Sequence, residues 1–131
     1  MPKSDITPLG SAFLRALSSD KRMPPYMAAN SPRCLVTFPA MNPETGPVIV
    51  DDDEEELTIF FGSITHIHVG NDDEGIAADE RIRRIVARAT DTLADFFEGR
   101  TEVCQRSWGG SYVPKGTGKG KIFRWSGPAE K

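Results

Sequence analysis

The chain has 131 residues, 38% hydrophobic and 27% charged, a balance that fits one domain with a real core and excludes wholesale disorder. Its apolar runs are only a few residues long, far below the roughly 20 a membrane helix needs. Met1-Pro-Lys-Ser-Asp5 carries no secretory signal, so the expectation is a cytoplasmic protein with no membrane partner. The formal net charge of −3 conceals a division: +3 over residues 1–33, −12 over 34–80 and +6 over 81–131.

In chain order, Thr7-Pro8 starts a short helix, with a capping hydroxyl followed by proline at the first helical position. Leu9, Ala12, Phe13, Ala16 and Leu17 recur at helical spacing, and the prolines of 23–32 then force an extended connector. Arg33–Phe38 alternates as a strand, and Val48-Ile49-Val50 follows a turn-rich stretch. The acid run Asp51–Glu56 reads as a hairpin connection, because six adjacent carboxylates repel one another when held straight. Leu57–Val69 is the strongest β signal. Gly62-Ser63 interrupts it either as a tight turn or as a bulge in one long strand, and the bulge is preferred because a turn leaves short arms.

From about Ala77 to Glu98, the apolar residues Ile82, Ile85, Val86, Ala89, Leu93, Phe96 and Phe97 form one helical stripe closed by Gly99. The tail returns to β structure in Thr101–Trp108, a Gly109-Gly110 turn, Ser111–Val113 and Lys121–Trp125. The fold expected is α+β and a single domain. Residues 1–32 form the N-terminal helix and connector, 33–127 the core and 128–131 a tail. The core is expected to be a single antiparallel sheet of about four to six strands with the long amphipathic helix on one face.

Chemistry-bearing residues are few. His66 and His68, at i and i+2 in a strand, project from one face, and Glu74 (or Asp72 or Asp73) could complete a metal set with them. The spacing resembles a cupin box, but the glycine and glutamate are out of place and a helix follows. Gly116-Thr-Gly-Lys-Gly-Lys121 lacks the phosphate-loop gap and leads into β structure, so no nucleotide cofactor is expected. Cys34 and Cys104, far apart and without CxxC spacing, read as two reduced thiols. Arg106, Lys115, Lys119, Lys121 and Arg124 with Trp108, Tyr112 and Trp125 have the composition of a single-strand-binding surface, yet the −12 segment would repel a phosphate backbone.

The long helix places Arg81, Arg83, Arg84 and Arg88 early and Asp91, Asp95 and Glu98 late, against the macrodipole. Compensation from outside the helix is expected, either from the oppositely charged neighbouring sheet or from a bound partner.

Thr65-His-Ile-His68, a helix closing on Gly99-Arg100, Trp108-Gly-Gly110 and Arg124-Trp-Ser-Gly127 together resemble small bacterial α+β domains, some similar to immunity-type proteins that neutralise toxins. The likeness assigns no residue a role. It implies a non-catalytic module whose acidic surface engages a basic protein partner, and electrostatic complementarity mainly speeds such encounters. The residues expected to carry that surface are Asp52, Asp53, Glu54, Glu55, Asp72 and Asp73, with His66 and His68 adding sensitivity to pH. A small metal-dependent enzyme built on His66, His68 and Glu74 is the rival expectation, and nucleic-acid binding by the C-terminal segment a third.

Overall fold

The computed structural model describes residues 7–28, 33–53, 55–70, 75–125 and 127–128. Helix α1 (Pro8–Ser18) is followed by strands β1 (Met27–Ala28), β2 (Cys34–Phe38), β3 (Val48–Asp52), β4 (Leu57–Phe61) and β5 (Thr65–Val69). Then come helix α2 (Ala78–Phe97) and strands β6 (Thr101–Arg106), β7 (Gly109–Pro114), β8 (Lys121–Arg124) and β9 (Gly127–Pro128). The α+β class expected from the sequence is present, and among the described residues no helix is long and apolar enough to cross a membrane.

The single sheet expected from the sequence is in fact two. One is a five-stranded meander ordered β1-β2-β3-β4-β5, and the other is ordered β7-β6-β8-β9. Their edges meet where Thr65 Oγ1 donates to the Gly110 carbonyl at 3.3 Å, and no strand ladder joins β5 to β7 among the described residues. Gly110 permits this approach, because a Cβ there would lie 2.2 Å from the Ile64 carbonyl oxygen. The β6–β7 turn therefore falls at Ser107-Trp108, and the two glycines expected to form it open β7 instead.

The second correction concerns residues 57–69. They form a hairpin, with Leu57 opposite Val69 and Phe61 opposite Thr65, and not one bulged strand. Gly62 makes the reversal with φ 59°, packed so closely on the Thr45 carbonyl that a side chain would collide with it. Five-residue arms suffice because β3 pairs along the whole of β4.

Alternation gives the five-stranded sheet an inner face carrying Val36, Phe38, Val48, Val50, Leu57, Ile59 and Phe61, all buried. Phe13 and Leu17 of α1, and Ile85, Leu93 and Phe96 of α2, join them in one core. Helix α2 is not confined to the face of one sheet as expected. It packs on α1 and touches both β5 and β6, so it spans the junction of the sheets. Phe61 is the pivot, with its ring 4.8 Å from Phe96 and stacked 4.9 Å from Tyr112 of β7. Asn42 and Thr45, in the loop before β3, both donate to the Arg124 carbonyl and so bind that loop to β8.

Helix α1 begins as its sequence dictates. Thr7 Oγ1 accepts from Gly10 N at 3.0 Å, and Pro8 holds the first turn. For α2 the compensation against the macrodipole comes, among the described residues, from segments on either side and not from the sheet as expected. Arg22 of the connector reaches Asp91 at 3.2 Å, and Arg100 bonds Asp95 at 2.8 Å and Glu98 at 2.5 Å. At the start Glu80 accepts from both Arg83 and Arg84, while Arg88 donates to the Gly70 carbonyl at 2.9 Å. The two cysteines lie in different sheets as free thiols.

Candidate functional site

The acidic residues gather at the end of the five-stranded sheet where β3 turns into β4. Asp51 and Asp52 do not belong to the connection expected of them. They extend β3 opposite Thr58 and Leu57, leaving Asp53, Glu55 and Glu56 among the described residues of the turn, which Asp53 N closes by donating to the Glu56 carbonyl at 2.9 Å. Glu55 is exposed, and its backbone N donates to the Asp53 carbonyl at 2.8 Å.

Asp52 must be withdrawn from the partner surface. Its parity continues Val48 and Val50 into the interior, where it is only 6% exposed. Its carboxylate accepts the Thr7 hydroxyl at 2.6 Å, while that same hydroxyl caps α1 through Gly10 N. A buried carboxylate is tolerated here because it is hydrogen-bonded beside a helix N-terminus. Asp52→Ala is expected to lower stability by about 2 kcal/mol, the typical worth of a hydrogen bond to a charged group. Asp52→Asn, which keeps an acceptor, should lose less; urea midpoints of the two variants check this.

The remaining acids face outward. Asp51 lies 3.7 Å and Asp53 3.1 Å from Arg33, which serves both. Partial burial pushes the Asp51 carboxyl above the usual carboxylate range, with Arg33 acting the other way and Asp53 adding to the rise. Glu56 Oε2 lies 2.9 Å from His68 Nδ1, and Thr58 Oγ1 is 3.1 Å from the same nitrogen. The chain leaves β5 at Gly70, whose Cα would carry a Cβ 3.4 Å from Glu56. Glu54, Asp72, Asp73 and Glu74 lie outside the described residues.

His66 and His68 share the outer face of β5, as the i, i+2 spacing predicts, with ring centroids 5.1 Å apart. The cross-strand pairs extend this face over Phe60, Ile49, Thr37 and Met27. His66 packs against Phe60 at 5.3 Å. Met27 is exposed, and Thr37, Ile49 and Phe60 are partly so, while both helices occupy the opposite face. The site is thus an acidic rim beside an open strip of mixed apolar and imidazole character.

Of the eight residues grouped as a nucleic-acid surface, three are engaged in the fold, while Lys115, Lys119 and Lys121 stay exposed. Trp125 is buried against Phe97, the Tyr112 hydroxyl donates to the Thr92 carbonyl, and Arg124 bonds Glu102. Arg106 and Trp108 remain on a hairpin tip, where the guanidinium sits 5.4 Å over the indole. Comparison with known proteins returns no matching family model, no similar curated protein and no similar solved structure.

Proposed function

We propose that the chain is a non-catalytic binding module, of the inhibitor or immunity type, that engages a basic protein partner through the acidic rim of Asp51, Asp53, Glu55 and Glu56 and the adjoining His66–His68 face. The convergence of exposed and half-exposed carboxylates at one sheet end carries this reading. Among the described residues, Asp51 and Asp53 meet the guanidinium of Arg33 and Glu56 meets the His68 imidazole, so negative charge remains in excess. Glu55 has no side-chain partner among the described residues and can be offered whole. The neighbouring strip of Phe60, Ile49 and Met27 supplies apolar area, which gives an interface its affinity while the charges set approach and register. Two free thiols accord with a reducing compartment, and we place the protein in the cytoplasm.

Affinity capture with the wild-type chain, in parallel with Asp53→Lys/Glu55→Lys, tests the reading. A basic protein should be retained at low salt by the wild type, released as ionic strength rises, and absent from the variant. Capture that charge reversal leaves unchanged would overturn the proposal.

A further inference from the structure

We infer that Asp53, Glu56 and His68 form a binding site for a divalent transition-metal ion, with Zn2+ the chemically typical occupant. One donor atom from each of the three residues lies within 4.8 Å of the others. Bonds of about 2.0–2.2 Å set tetrahedral donors about 3.3–3.6 Å apart, so a pair at the 4.8 Å limit would close by about 1.2–1.5 Å, a distance that rotamer changes of exposed and half-exposed side chains cover. The 2.9 Å separation of His68 Nδ1 and Glu56 Oε2 is near the edge of about 3.3 Å expected for a tetrahedron of that bond length.

An imidazole nitrogen with two carboxylate oxygens is a mixed set that suits zinc and its neighbours better than calcium or magnesium, which take oxygen alone. That nitrogen separates the constellation from an ordinary acidic turn, because it arrives from a different strand. The hairpin register fixes His68 opposite Thr58, while two backbone hydrogen bonds hold Asp53, Glu55 and Glu56 in the turn. Three protein donors leave the remaining coordination positions to water. Arg33 occupies one oxygen of Asp53 at 3.1 Å, but its side chain is largely exposed and the carboxylate has a second oxygen. The set differs from the His66, His68 and Glu74 combination suggested by sequence, since His66 does not belong to it. The site shares residues with the proposed docking surface but does not rest on it, and its test uses the metal alone.

Titration calorimetry of chelator-treated protein with Zn2+, supported by the visible spectrum of the Co2+ form, provides that test. One ion per chain is expected. His68→Ala and Glu56→Gln should each weaken binding by about tenfold or more, and His66→Ala by less than about twofold. All three side chains are exposed or half-exposed, and circular dichroism verifies that each variant folds. Three outcomes would each overturn the inference: no stoichiometric binding up to millimolar ion, equal losses in the His66 and His68 variants, or binding untouched in all of them.

Discussion

Glu102→Ala is expected to destabilise the protein by about 3–5 kcal/mol, the usual consequence of removing one member of a buried ion pair. Glu102 is 2% exposed and accepts from Arg124 Nε at 2.6 Å and from Gly116 N at 3.1 Å. Without the carboxylate, the Arg124 guanidinium loses its counter-charge and the Gly116 amide its acceptor. Arg124 also holds Asn42 and Thr45 through its carbonyl, so the loss should reach the loop before β3. Glu102→Gln should cost less, because an amide oxygen still accepts. Paired replacement of Glu102 and Arg124 by Met and Leu should restore much of the loss, since apolar packing often equals a buried pair. Guanidinium unfolding of these variants distinguishes the cases. A Glu102→Ala loss below about 1 kcal/mol would mean the pair is solvated.

Phe61→Ala should be of similar size, about 3–5 kcal/mol, from lost transfer energy and the cavity left behind. The ring is fully buried and touches Phe96 of α2 and Tyr112 of the second sheet at once. Its removal should therefore weaken both sheets together. Trp125 fluorescence reports the second sheet, and amide exchange in β3 and β4 reports the first. Coincident transitions are expected, and melting of one sheet while the other persists would show that the core divides.

Much of this fold was legible because periodicity and capping are local. The stripe Ile85, Val86, Ala89, Leu93 and Phe96 announces α2, and Thr7-Pro8 announces α1. Strand neighbours are different, because alternation states which face a residue occupies and not which strand lies beside it. The division into two sheets depends on β5 and β7 meeting without a ladder, and that rests on the space Gly110 leaves for the Ile64 carbonyl. The inward turn of Asp52 did have a signal: it continues the parity of Val48 and Val50. The repulsion argument for the acid run hid that signal, and it failed because Thr7 supplies a partner 45 residues away.

The candidate site shows the same boundary. Pairing of His66 with His68 on one face follows from spacing alone. Their acidic neighbour is another matter, since the hairpin register sets Glu56 beside His68 and a bulge would have kept them apart. The charge division seen in the sequence is thus partly internal, through Arg33 with Asp51 and Asp53 and through Glu80 with Arg83 and Arg84. Among the described residues, Asp53, Glu55 and Glu56 keep part of that charge at the surface of one sheet end, and the proposed function rests on this excess.

The most direct test of that claim is to map amide chemical-shift changes in the labelled chain as the captured basic protein is added. The account predicts changes concentrated in residues 53–56 and 65–69, fading as salt is raised. Changes concentrated instead between α1 and α2, or at the Arg106–Trp108 hairpin tip, would contradict it.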